Sequence, residues 1–185
     1  MKIITAPHPS LRQKAVAVKT VDKKLQFFIN DLQSTLLHQS DPPGVGLAAP
    51  QVDKKYRIFC TLIAKEPRVF INPVINKASE AKILGENPQD KDYQLEGCLS
   101  IPQIYGPVPR SEWISLEYDV VVDQKLQRKS ESFSNFPARV IQHELDHLNG
   151  ILFTDYLLQY DLPAYQIGQG EKLLEIEDRK ILEIF

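Results

Sequence analysis

Apolar residues recur at helical spacing in some stretches of this chain and crowd into β-rich runs in others. From about Asp22 to Gln39, Leu25, Phe28, Ile29, Leu32 and Leu36 fall on one helical face, which predicts a first helix. Residues 57–63, 68–71 and 113–122 are rich in β-formers and predict strands, and Asp123-Gln124-Lys125 predicts a turn into a further strand over 128–133. Ile141, Leu145 and Leu148 repeat at i, i+4, i+7, with Pro137 suited to a first helical turn and Gly150 to a position past the end. Residues 171–185 alternate Leu173, Leu174, Ile181, Leu182 and Phe185 with charges, which predicts an amphipathic C-terminal helix in a tail from about 165. The polar stretch Glu80 to Gln94 predicts a surface loop. The pattern is that of an α+β fold, with mixed or antiparallel sheets packed around a central helix and helices at both ends.

That central helix carries Gln142-His143-Glu144-Leu145-Asp146-His147, an H-E-x-x-H motif. Residues four apart lie one above the other on a helix, so His143 and His147 can reach one metal ion while Glu144 stands beside a water bound to it. Phe136 and Val140 lie near the same side at helical spacing, as core filling or as part of a pocket for an apolar group.

Two histidines do not complete a metal site. The extended motif with a third histidine fails, because its last position is Phe153. His8 and His38 read as a surface-turn residue and a helix-end residue. Glu171 or Glu175 could serve as the third ligand of a metallopeptidase. Cys98, in Glu96-Gly97-Cys98-Leu99-Ser100, is a better candidate, since a thiolate with two imidazoles leaves a fourth position open for water.

Those two motifs, with Gly44-Val45-Gly46-Leu47-Ala48-Ala49-Pro50-Gln51 before them, resemble the three signatures of peptide deformylases, in the same order. Asn72-Pro73, Ile101-Pro102 and Gly150-Ile151-Leu152-Phe153 extend the likeness from about Ile4 to about Leu157. The resemblance implies hydrolytic removal of the N-formyl group from the initiator methionine of new polypeptides. It further implies one divalent metal per chain on Cys98, His143 and His147, ferrous iron by family habit with zinc, nickel or cobalt as substitutes. Glu144 would act as general base and then general acid, and Gln51 with the backbone N–H of Leu99 would hold the oxyanion; one such donor is worth about 3–4 kcal/mol. Val45 and Gly46 would pair with an extended substrate, beside Glu96 and Gly97, and Phe136 and Val140 would receive the methionine side chain. Glu96 and Arg110 could pair to support the cysteine loop.

Composition narrows the remaining classes. A chain of 185 residues with 43% hydrophobic content suits a single domain over residues 1–185. The opening residues carry no long apolar run, so neither a signal peptide nor a membrane span is expected, and the expected location is cytoplasmic. A net charge of −2 without a polybasic tract gives no case for nucleic-acid binding, and Gly-x-Gly without a following Gly-Lys makes no phosphate cradle. Cys60 reads as a small buried hydrophobe. Family members that dock on the ribosome do so through basic residues of a C-terminal helix, whereas this tail is richer in acid than base. A metal- or peptide-binding module without activity is the remaining alternative.

Overall fold

The computed structural model describes residues 1–63, 66–85, 94–168 and 172–185. Helix α1 spans Lys23–Leu37 and begins where the Asp22 carboxylate accepts the N–H of Leu25 at 2.7 Å. Its buried residues are Leu25, Phe28, Leu32 and Leu36, the helical stripe of the sequence. Central helix α2 spans Asn135–Asn149 and closes on Gly150, whose φ of 75° suits a residue without a side chain. A Cβ there would also meet the Arg12 carbonyl.

Between these helices lies a five-stranded sheet of β1 (Gly46–Ala48), β2 (Ile58–Ile63), β3 (Glu66–Ala78), β8 (Trp113–Val122) and β9 (Lys125–Ser134), paired in that order. Ile58 and Cys60 of β2 face α1, while Phe59 packs with Phe70, Ile114, Phe133 and Ile141 on the α2 side. Both faces of β2 are covered, which is why its sequence is a continuous apolar run with no alternation. The β8–β9 hairpin turns at Asp123 and Gln124, both at positive φ as a two-residue turn of this hand requires. Strand β3 runs further than Arg68–Ile71 because a register shift between Ile71 and Val74 accommodates Pro73. Asn72 tethers this irregularity, exchanging 2.8 Å bonds with both the N–H and the carbonyl of Val18.

A second sheet orders β11 (Leu173–Glu175), β10 (Tyr165–Ile167), β6 (Ile101–Gly106) and β5 (Glu96–Cys98). Short strands β4 (Lys82–Ile83) and β7 (Arg110–Ser111) form a separate ribbon. Helix α3, Phe153–Gln159, packs Phe153 and Leu157 against Ile101, Ile104 and Leu182 of this second sheet and the tail. Among the described residues every strand pair is antiparallel, and the parallel geometry occurs in an isolated bridge between Val16 and Tyr56.

The tail departs from the predicted amphipathic helix. Leu173–Glu175 is a strand paired with β10, and only Arg179–Ile184 is helical, as a 3-10 turn. Hydrogen bonding to the edge of β10, itself paired with β6, outweighs a helical period that short segments cannot sustain alone. Glu171 and the central part of the Glu80–Gln94 loop lie outside the described residues.

Candidate active site

Helix α2 is buried on two sides. Ala138, Ile141 and Leu148 fill the core against the five-stranded sheet, while Arg139 and His147 reach Glu96 and Cys98 of the second sheet and Val140 and Glu144 line the cavity between. The H-E-x-x-H residues therefore stand between two layers. Cys98 enters at the end of edge strand β5, and its sulfur lies 3.2 Å from His147 Nε2. Ligand atoms of Cys98, His143 and His147 all fall within 4.8 Å of one another. Glu175 is not part of this group; it sits on β11, opposite Tyr165. Phe153 is a buried core residue of α3 with its ring 6.3 Å from that of His143. His8 caps a 3-10 turn and His38 caps α1, both away from the cluster.

The cluster is built to receive positive charge. Burial favours the neutral imidazole at both histidines and drives His147 well below its ordinary pKa. At His143 the same burial is outweighed by the Cys98 sulfur and the Glu96 carboxylate, which hold its proton well above the ordinary range. The donors are also of the right kind, since one thiolate and two imidazoles suit zinc or ferrous iron. Glu144 Oε2 is buried without a partner among the described side chains and backbone, as a carboxylate awaiting a water would be. Burial pushes the Glu144 carboxyl up to about 7, the charge of His143 opposing it.

Around the cluster, His143 and Gln51 are oriented by hydrogen bonds. His143 Nδ1 bonds Glu96 Oε2 at 2.9 Å, leaving Nε2 to face the sulfur. Arg110 grips Glu96 with two 2.8 Å bonds and reaches Asp146 at 2.5 Å, and Tyr156 bonds the other oxygen of Asp146 at 3.2 Å. Burial would raise the Glu96 pKa, but the charge and hydrogen bonds of Arg110 outweigh it and hold the carboxyl far below the usual range. The Ala48 N–H donates to Gln51 Oε1 at 2.8 Å, which turns Nε2 toward Cys98 Sγ (3.4 Å) and Ser100 Oγ (3.2 Å). The backbone of Ala48, at the end of β1, thus aims the amide of Gln51 at the cluster.

A cavity of about 600 Å³ opens onto these groups, lined by Val45, Gly46, Gly97, Leu99, Phe136 and Val140 among others. Phe136 is 42% exposed at its mouth, whereas Val140 lies buried inside. Gly46 leaves no room for substitution, since a Cβ would stand 2.2 Å from Glu144 Oε1. At Gly97 it would meet the Tyr105 ring at 2.6 Å. The Leu62 N–H donates to the Val45 carbonyl, so in the alternating ladder the backbone of Gly46 points to the open edge of β1. Edge strand β5 borders the cavity on its other side. The backbone groups left open at this edge are therefore those of Gly46, while Val45 presents a half-exposed side chain.

Sequence reasoning passed over Arg139 and Asp146. Asp146 sits three residues after His143, inside the motif itself. Arg139 is a buried arginine one turn before His143, detectable as a charge on a helix face that otherwise carries site residues.

The polypeptide deformylase family profile matches residues 1–163. The peptide deformylase of Pseudothermotoga lettingae is 40% identical over 175 residues, covering 95% of this chain and 91% of its own. That of Rhizobium meliloti is 37% identical over 160 residues, 84% and 83% of the two chains. The crystal structure of peptide deformylase from Thermotoga maritima superposes with a TM-score of 0.73 at 34% identity, covering 84% of this chain and 95% of that one. An enzyme from Synechococcus elongatus in complex with actinonin gives 0.72 at 33% identity, with 84% and 78% covered. On this evidence the chain belongs to the polypeptide deformylase family, metal-dependent hydrolases that remove the formyl group from N-formyl-methionyl peptides.

Proposed function

We propose that the deformylation is carried out in the cavity beneath α2, with Cys98, His143 and His147 holding one ferrous ion, for which zinc, nickel or cobalt can substitute. The observation that carries this reading is the buried, unpartnered Glu144 carboxylate beside a cluster of three neighbouring metal-ligating side chains. Bound there, the divalent cation supplies Lewis acidity toward the formyl carbonyl and a water that is nucleophilic at neutral pH. Glu144 takes the proton of the attacking water and delivers it to the departing nitrogen, a task suited to a carboxyl pushed up to about 7. Gln51 Nε2, already aimed at Cys98, and the backbone N–H of Leu99 receive the charge that grows on the formyl oxygen.

The substrate enters as an extended strand between the edges of β1 and β5, hydrogen-bonded to the free backbone of Gly46 and bordered by Gly97. Its methionine side chain lies against Val140, with Phe136 at the mouth. New chains leaving the ribosome in the cytoplasm are the natural source of such peptides. Among the described residues no helix is long and apolar enough to cross a membrane.

The test is formate release from formyl-Met-Ala-Ser by anaerobically purified, Fe(II)-loaded protein, with Glu144→Ala alongside. Rapid release that vanishes in the variant is expected. Undiminished release by Glu144→Ala would remove Glu144 from the chemistry, and loss of metal on Cys98→Ala checks the ligand set.

A further inference from the structure

Glu96 is held by two arginines, and the second has no place in the reaction described above. Arg139 rises from α2 one turn before His143 and is 5% exposed. Its Nη1 donates to Glu96 Oε1 at 2.9 Å and to the Val108 carbonyl at 2.8 Å, and its Nη2 donates to the Ile83 carbonyl at 2.9 Å. Ile83 is paired with Arg110 in the β4–β7 ribbon, so the two arginines that meet at Glu96 are joined through backbone as well.

The acceptor count shows what Arg139 adds. A carboxylate has about four lone-pair sites. Arg110 fills one on each oxygen, His143 Nδ1 fills the second on Oε2, and Arg139 fills the second on Oε1. With the fourth site filled, Glu96 has no rotational freedom left, and the ring of His143 is fixed with it. Arg139 also balances charge. Glu96, buried, and Asp146, half-buried, both bear on Arg110, and one guanidinium cannot neutralise two carboxylates in an interior where unpaired charge is costly.

We propose that Arg139 is a positioning residue: by completing the grip on Glu96 it fixes the His143 ring for metal ligation and locks it to the β4–β7 ribbon. This rests on the assignment of Cys98, His143 and His147 as the metal ligands. Groups that hold a metal-bound histidine from behind typically change metal affinity by about 10–100-fold when removed. Lysine is a poor replacement, because its donors sit on one compact nitrogen and cannot span the acceptors that Arg139 reaches from Nη1 and Nη2.

The experiment is cobalt(II) titration of metal-free wild type, Arg139→Met, Arg139→Lys and Cys98→Ser against a chelating dye, with the visible spectrum of each cobalt protein recorded. Methionine preserves the apolar stem of the side chain. Arg139→Met is expected to bind one cobalt per chain about 10–100-fold more weakly, with altered ligand-field bands. Arg139→Lys should fall between it and wild type, and kcat should drop more than KM rises in both. If Arg139→Met does not fold, Arg139→Lys decides alone. Wild-type cobalt affinity and an unchanged spectrum in the folded Arg139 variants would overturn the proposal. Failure of the ligand assignment reads differently: wild type would bind no cobalt, or Cys98→Ser would bind as tightly as wild type.

Discussion

Glu96–Arg110 and Glu131–Arg68 are the same interaction in two settings. Each is a two-pronged glutamate–arginine pair, with bonds of 2.8 and 2.8 Å in the first and 3.2 and 2.6 Å in the second. Each arginine also meets aromatic rings: Arg110 over Tyr156, and Arg68 over Phe70 and Phe133. Burial separates them. The side chains are 4% and 5% exposed at Arg110 and Glu96, against 39% and 41% at Arg68 and Glu131. Water screens the second pair, and its charges can separate at little cost. In the first, no member can leave without stranding another charge in the interior. Pair chemistry alone does not mark a site; the setting does, and the buried pair borders the cluster while the exposed one links β3 to β9 on the five-stranded sheet.

The largest effect expected in the buried region is catalytic. Glu144→Ala should lower kcat/KM for a formylated peptide by roughly 10²–10⁴-fold while leaving one metal per chain by elemental analysis. An exposed carboxylate such as Glu131, replaced in the same way, should leave kcat/KM unaltered.

Next comes stability. Glu96→Ala leaves Arg139 without a carboxylate and Arg110 with Asp146 alone, and should cost about 3–5 kcal/mol in urea unfolding, with weaker metal retention. A loss below about 1 kcal/mol would place Glu96 with the surface pairs and erase the contrast.

The third effect is pH-dependent and is read in metal-free protein. The Glu144 carboxyl binds its proton more tightly folded, at about 7, than unfolded, near 4.5. Its contribution to stability is therefore full below the unfolded value and is lost as pH rises through the folded one. Above that, burying the carboxylate costs roughly 3 kcal/mol. Metal-free Glu144→Gln should consequently gain stability over wild type between about pH 5 and pH 8. Parallel stability curves for the two proteins would show that Glu144 is not desolvated.

Glu131→Ala is the smallest change, about 0–1 kcal/mol and diminished further by salt. Guanidinium-free thermal melts at low and high salt measure it.

Periodicity made much of this fold legible. The stripe of α1, the runs of β2 and β8, the turn at Asp123 and the Gly150 stop of α2 each carry local signals, because backbone preference and one-sided burial act within a few residues. The site was legible through spacing: His143 and His147 share a helix face by geometry alone. Strands β1 and β5 were harder to read, since a three-residue strand containing glycine has little preference of its own and exists through its partner. The tail misled for a related reason. Its apolar period fits a helix, yet the edge of β10, carried on β6, offers hydrogen bonds that turn part of it into strand.

By itself, then, the sequence determined which residues could bind metal, which helix presents them and which glycines keep the backbone open, because those properties depend on residue type and short spacing. Tertiary structure decided that Cys98 meets the histidines across two sheets, that Gly46 must lack a side chain beside Glu144, and that Arg139 joins Arg110 on Glu96. These are contacts between residues far apart in the chain, set by how the layers pack and how far water is excluded, and no local pattern encodes either.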